Sequence, residues 1–303
     1  MTDRAVVAVL MATHDGAAFL DAQIDSILDQ EGVDVRLVVS DDRSTDGTLA
    51  LLERRAADDA RIVLLPAGVH GSAHANFLRL VRDAPVDGAD AIGFSDQDDV
   101  WTPGRLARQL AQLDRYDAVS GNVTAVFGSR RVRIDKAQPQ RDFDFVLESA
   151  GPGSTFVLSA STFAFVRDVV DHDPEVVDAA IHDWLIYALV RASGRTWHID
   201  SASLVDYRQH GANVRGANVG VREASARLGE LRSGEFRRQA AHITRIAARV
   251  ADDGRRDELL ALAHLLGDGS PASRRALAAR VPQLRRSARD RIALRALLLT
   301  GGW

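Results

Sequence analysis

Two rhythms of hydrophobic positions alternate along the first hundred residues. Ala5-Val6-Val7-Ala8-Val9-Leu10-Met11 is an unbroken apolar run, the pattern of a parallel strand covered on both faces. Thr13-His14-Asp15-Gly16 interrupts it. From Ala17 onward Phe19, Leu20, Ile24, Ile27 and Leu28 return at three- and four-residue intervals, which marks one face of a helix ending near Gly32. The unit then repeats. Val35 to Val39 predicts a second buried strand, closed by the polar stretch Ser40 to Thr48, and Leu49, Leu51 and Leu52 open a second helix. Arg61 to Leu65 predicts a third strand, Gly71 to Val81 a third helix and Ala89 to Phe94 a fourth strand. Strands and helices alternating at this spacing imply right-handed crossovers and an α/β fold, a mostly parallel sheet flanked by helices.

Beyond the fourth strand the rhythm weakens. Arg105, Leu106, Gln109, Leu110 and Leu113 continue a helix, and Ala118 to Phe127 is strand-like around Gly121. Residues 129 to 145 are polar with little period and predict an exposed excursion. Gly151-Pro152-Gly153-Ser154-Thr155 precedes the strand-like Phe156-Val157-Leu158; it is either a plain turn or a place where backbone approaches a substrate closely. Thr196 to Ile199 is again strand-like. After it, Leu228, Leu231, Ile243, Ile246, Val250, Leu259, Leu262 and Leu266 mark helices with arginine on their other faces. The chain thus divides into residues 1–220 and a helical, Arg-rich C-terminal extension, residues 221–303.

Composition sharpens this division. With 46% apolar and 26% charged residues, the 303-residue chain is an ordinary globular protein rather than a disordered one. Its net charge of -4 conceals an asymmetry. Residues 221–303 hold seventeen arginines against nine acidic residues, a net of +8, and residues 1–220 carry -12. An acidic body argues against nucleic acid running through the active site. The basic end suits an anionic surface: Leu277 to Leu299 combines Arg280, Arg285, Arg286, Arg289, Arg291 and Arg295 with Leu294, Leu297 and Leu298 ahead of Trp303. Contact with the inner face of the cytoplasmic membrane is one reading of it; helix docking and a homodimer contact are the others. The start lacks a signal peptide's architecture and no window is apolar enough to span a bilayer, so a cytoplasmic protein is expected. Absence of cysteine excludes disulfides, thiolate metal sites and a cysteine nucleophile. Any metal must therefore be held by oxygen and imidazole, which favours Mg2+ or Mn2+ over zinc.

Candidate chemistry begins where the fourth strand ends. Phe94-Ser95-Asp96-Gln97-Asp98-Asp99-Val100-Trp101 places three carboxylates within four residues. Like charges so close raise one another's pKa unless a cation or donors compensate, and the carboxyl ends of strands are where open α/β sheets bind ligands. The cluster points to a divalent cation bridging the phosphates of a nucleotide-linked substrate; the competing reading is a solvated acidic turn. Neither GxGxxG nor GxxxxGK[ST] follows the first strand, so metal would have to neutralise the phosphates. Asp41-Asp42-Arg43-Ser44 offers a carboxylate to a base or ribose, unless Ser44-Thr45-Asp46 simply caps the helix that follows. Asp183 stands among apolar and aromatic residues at the head of a helical pattern, either as a helix cap or as a general base kept reactive by partial desolvation. His210, in a polar loop of a chain already expected to bind metal, is a candidate ligand.

At these residues the chain resembles the family-2 glycosyltransferases, inverting enzymes with a GT-A fold, and most closely their rhamnosyltransferase-like bacterial branch. The matching stretches are Ala12 to Gly16, Ser40 to Thr48, Gly71 to Phe77 with Asn76, Phe94 to Trp101, His182-Asp183-Trp184 and Tyr207 to Asn213. The resemblance implies that Thr13, Asp15 and Asp42 contact the nucleotide, Asp42 at the base, and that Asp96 and Asp98 also face the nucleotide sugar. It implies that Asp98, the last Asp of a DxD motif, ligates Mg2+ or Mn2+ together with His210, and that Asp183 is the catalytic base. Asp99, Trp101, Asn76 and Trp184 are secondary candidates. The implied reaction moves a sugar, L-rhamnose from dTDP-rhamnose or else the sugar of a UDP-sugar, to a glycan or lipid-linked acceptor in bacterial cell-surface polysaccharide synthesis. Two departures stand out. The first loop usually reads Tyr-Asn where this chain has His14-Asp15, which bears on the side-chain role of Asp15, and Arg105 stands where Lys is common. Two other functions compete: a sugar nucleotidyltransferase, whose basic Gly-rich loop this chain lacks, and an inactive sugar-binding scaffold, against which Asp98, Asp183 and His210 together argue.

Overall fold

The computed structural model describes residues 4–210 and 234–303; Gly211 to Asn213, Leu228 and Leu231 lie outside the described residues. The chain forms two compact units. The first comprises Met1–Ala137, Gly151–Val177 and Arg195–Arg215, and the second Gln138–Ala150, Asp178–Gly194 and Gly216–Trp303.

In the first unit the apolar runs become β1 (Val6–Thr13), β2 (Asp34–Asp41), β3 (Ile62–Leu64) and β4 (Ala91–Ser95), linked by α1 (Ala17–Leu28), α2 (Thr48–Asp58) and α3 (Ala73–Asp83). These four strands are mutually parallel in the order β3-β2-β1-β4. Val7 to Met11 are wholly buried, and Leu20, Ile24 and Ile27 of α1 pack with Val7, Val9 and Met11 in one core. Each such side chain contributes roughly 2 kcal/mol by leaving water.

Then the sheet changes character. The chain continues through β5 (Val100–Trp101), α4 (Arg105–Leu113), β6 (Ala118–Phe127), β7 (Arg130–Ile134), β8 (Val157–Ser159), α5 (Ala160–His172) and β9 (Trp197–Arg208). β8 is antiparallel to β4 and β6, β5 to β9, and β7 to β6, while β9 runs parallel to β6. The sheet is therefore parallel in its first half and mixed beyond it. A two-residue connection at Gly128, with φ +57°, can only return the chain antiparallel.

Two segments depart from their sequence pattern. Residues 129–145 were expected to be exposed, yet they contain β7 and run into the buried residues Phe143, Phe145, Val146 and Leu147. Those apolar residues pack in a 3-10 turn at Asp144–Val146, which has neither strand nor α-helical period. β9 runs twelve residues through the polar stretch Asp200 to Asp206, with register shifts against β6 around Asn122.

The second unit holds α6 (His182–Ala192), α7 (Glu235–Arg249), α8 (Asp253–Asp268), α9 (Pro271–Leu284) and α10 (Ala288–Thr300). Asp252, Ser270 and Ser287 accept backbone amides as N-caps of the last three. Trp303 is buried, its ring 6.4 Å from that of Phe236, and Arg286 is buried in ion pairs. These two residues are internal to the unit and do not serve as surface contacts. Among the described residues no helix is long and apolar enough to cross a membrane.

Candidate functional site

Carboxylates bind together the loops that leave β1 and β2. Thr13 Oγ1 donates to Asp41 Oδ1 at 2.8 Å, and Ser44 gives Asp41 both its amide and its hydroxyl. Asp15 sits at φ +47° and accepts the Thr45 amide at 2.6 Å. That hydrogen bond holds the Asp15 carboxyl below the usual carboxylate range. Asp46 accepts the Ala17 amide at 3.1 Å and the Thr48 amide at 2.9 Å. One carboxylate thus serves the start of α1 and of α2, whose own N-cap positions are glycines. Asp42 is nearly buried and accepts the amides of His70 and Gly71 at 2.5 and 2.8 Å. From α3, Asn76 Nδ2 donates to the carbonyls of Thr13 and Ser40, tying the ends of β1 and β2 together. Thr13, Asp15, Asp42 and Asn76 are therefore all at the carboxyl edge, each with a hydrogen bond that shapes it.

The acidic loop after β4 is laid against this edge. Gln97 pairs with the amide and the carbonyl of His14, both at 2.8 Å. A Cβ on Gly16 would stand 2.2 Å from Gln97 Oε1 and would push that amide off His14. Asp96 is half-buried. Asp98 and Asp99 then diverge. Asp98 Oδ2 lies 2.8 Å from His210 Nε2, and the His210 ring stacks on Phe19 with centroids 4.2 Å apart and 16° between planes. Asp99 is wholly buried and turns inward, accepting Ser154 Oγ at 2.9 Å and the Arg208 amide at 3.3 Å. Burial, reinforced by the charges of Asp96 and Asp98, raises its pKa well above the usual range.

Trp101 and Arg105 close the floor of this loop. The Arg105 guanidinium lies 3.6 Å over the Trp101 ring and donates to Gln109 Oε1 and the Ser154 carbonyl. Burial pulls Arg105 down to about 9 against the attraction of Asp99. Trp101 is 3% exposed. A ring so covered has no face to offer a base, so Trp101 packs in the scaffold, and Asp99 is committed beside it.

Asp183 belongs to the second unit. The N-cap of α6 is Ile181, so Asp183 is not the cap; it lies in the first turn, half-buried. Its helix is firmly held. The Trp184 indole N–H donates to the Phe145 carbonyl at 2.7 Å and its ring stacks on Phe236. Tyr187 and Arg191 of α6, together with Arg286, all donate to the buried Asp144 carboxylate. Trp184, 3% exposed, thus supports α6 from inside.

Among the described residues no group of three or more His, Asp or Glu side chains converges as a metal centre. What Asp98 and His210 offer is one carboxylate oxygen and one imidazole nitrogen at a strand's carboxyl edge. Two such donors fit Mg2+ or Mn2+ sharing its other positions with substrate phosphates and water; they do not fit a closed structural zinc site. Sequence reasoning overlooked Phe19, Gln97, Ser154 and Arg208. Phe19 shares the helical period of the core residues, and nothing along the chain signals that β9 brings Arg208 beside the acidic loop.

The parallel half-sheet, its mixed continuation and the polar loops at its carboxyl edge are those of a GT-A enzyme. Residues 8–173 match the model of glycosyl transferase family 2, and the chain belongs to that family. It is similar to the dTDP-rhamnosyl transferase RfbG of Shigella flexneri, 35% identical over 249 residues that cover 80% of this chain and 85% of that protein. Two solved structures share its fold. TarS 1-349 from S. aureus, in complex with UDP-GlcNAc, is 16% identical with a TM-score of 0.56, covering 97% of this chain and 86% of that one. The mannosyltransferase PcManGT from Pyrobaculum calidifontis, in complex with GDP-Man and Mn2+, is 17% identical with a TM-score of 0.50, covering 99% and 86%. The protein is a glycosyltransferase, which sets aside the sugar nucleotidyltransferase.

Proposed function

We propose that this enzyme transfers L-rhamnose from dTDP-rhamnose to a glycan or lipid-linked acceptor in bacterial surface polysaccharide synthesis, inverting the anomeric configuration. Support for the donor comes from the 35% identity to RfbG, named for dTDP-rhamnosyl transfer. The solved structures holding UDP-GlcNAc and GDP-Man are 16% and 17% identical and speak to the fold alone. The observation that carries the chemistry is the 2.8 Å approach of Asp98 to His210 beside the acidic loop. Thr13, Asp15, Asp42 and Asp96 are taken as the nucleotide's contacts. Asp98 and His210 would hold Mg2+ or Mn2+, which would supply positive charge to the diphosphate leaving group. Asp183 accepts the acceptor hydroxyl's proton while that oxygen bonds the anomeric carbon from the side opposite the diphosphate. The anomeric C–O bond breaks with its electron pair going to dTDP, and no enzyme nucleophile takes part.

Asp183→Asn is expected to lower turnover by about 10²–10⁴-fold while dTDP-rhamnose still raises the melting temperature. Near-normal transfer by that variant removes Asp183 from its role. Stronger metal-dependent stabilisation by UDP- or GDP-sugars than by dTDP-rhamnose removes the donor assignment. Full activity in excess EDTA removes the cation. Peripheral contact with an anionic bilayer completes this reading. It is supported by α10, where Ile292 and Leu299 are 74% and 57% exposed and Arg289 and Arg295 are also exposed.

A further inference from the structure

Arg208 is the last residue of β9, and none of the chemistry above uses its side chain. Where β5 pairs antiparallel with β9, Val100 is opposite Asp206 and Trp101 opposite Val205. Continuing that register carries Arg208 alongside Asp98. Its guanidinium reaches three backbone carbonyls from two separate parts of the chain. Nε donates to the Asp98 carbonyl, and Nη2 donates to the carbonyls of Asp99 at 3.1 Å and Phe19 at 3.0 Å. Its own amide donates to Asp99 Oδ1. The same guanidinium lies 5.0 Å from the centre of the Phe19 ring, and the His210 ring is stacked on Phe19.

We infer that Arg208 is the positioning residue of the cation site, fixing Asp98 through its carbonyl and His210 through Phe19. This rests on the reading of Asp98 and His210 as the two ligands. With two protein donors among the described residues, affinity depends on how well each is held before the ion arrives. A side chain that locks both orientations therefore acts on metal binding itself, as hydrogen-bonded supports behind metal ligands do. The geometry asks for arginine. A planar fork can serve three carbonyls in two segments, whereas a lysine ammonium keeps the charge and loses the fork.

The test is Mn2+ binding in the presence of dTDP, read from the electron paramagnetic resonance signal of free Mn2+. It is measured on wild type, Arg208→Lys, Phe19→Leu and Asp98→Asn, with circular dichroism monitoring the fold. Arg208→Lys is expected to raise the Mn2+ dissociation constant by about 10-fold or more while metal-free dTDP binding stays unchanged. Phe19→Leu keeps an apolar residue in α1, removes the flat surface under His210, and is expected to weaken Mn2+ binding in the same way; it decides the matter if Arg208→Lys fails to fold. Asp98→Asn is expected to abolish binding. If Asp98→Asn abolishes binding and the folded variants at 208 and 19 bind like wild type, the inference is overturned and the ligand assignment stands. If wild type binds no Mn2+, or Asp98→Asn binds it fully, the ligand assignment falls and takes the inference with it.

Discussion

Asp200 on β9 is almost wholly buried and yet strongly acidic. Burial pushes its pKa upward, but hydrogen bonds from Arg108, the Ala202 amide and Gln112 outweigh it and hold the carboxyl at about 2. The unfolded group titrates near 3.8, so folding favours the ionised form. That contribution is complete above the unfolded pKa and is lost as pH falls through the folded one. Because Arg108 is half-exposed, solvent screening trims it to about 1–2 kcal/mol. In urea titrations, wild type is expected to exceed Asp200→Asn by that amount at pH 6, and the gap to narrow between pH 5 and pH 2. A gap independent of pH contradicts this account. The same residue scale shows what a sequence can carry. Asp98 and His210 stand out by type and neighbourhood, and the structure brings them together. Asp42 and Asp15 also stand out, but their hydrogen bonds to loop amides depend on partners about thirty residues away in the chain. Arg208 lies in the stretch Tyr207 to Asn213, but only strand register sets it beside Asp98.

Among the elements, β1, β2 and β4 are legible because a strand buried on both faces is apolar over most of its length. β7 and much of β9 are not, since their polar residues find partners on other strands and on helices distant in the chain. Asn122, buried on β6, bonds Asp135 and the Ser201 carbonyl, an arrangement no local period announces. α10 makes a different point. Its Leu294 and Leu298 face inward, while Ile292 and Leu299 remain exposed beside Arg289 and Arg295. Vesicles rich in anionic lipid are expected to retain the protein at low salt and release it as salt screens the arginines. Replacing Arg289 and Arg295 by glutamate is expected to abolish retention. Failure of wild type to float with such vesicles removes the membrane-facing role of this helix.

Across the whole chain, a cut at residue 220 follows charge, whereas the compact units follow packing. Residues 138–150 and 178–194 belong with the chain from 216 onward. Asp144, Tyr187 and Arg191 share a buried cluster with Arg286, which also faces Glu148. A fragment ending at 220 keeps the acid and loses Arg286, Phe236 and Trp303. Removing one partner from a buried ion cluster costs about 3–5 kcal/mol. The 1–220 fragment is therefore expected to exchange amide hydrogens rapidly across α6 and to lose transfer activity. Slow exchange there, with full activity, contradicts that expectation. Composition could not reveal this, because the partners are separated by up to 142 residues.

Asp46 supports α1 and α2 at once. The two helix starts at the carboxyl edge meet an incoming diphosphate with their positive ends already matched by the protein's own charge. On the proposed reading, a divalent cation bound with the nucleotide sugar would bring the charge that these helix ends no longer offer. Under the proposed function the substrate is then the metal–nucleotide complex. Initial rates should follow the concentration of that complex, with uncomplexed nucleotide sugar acting as a weak bystander.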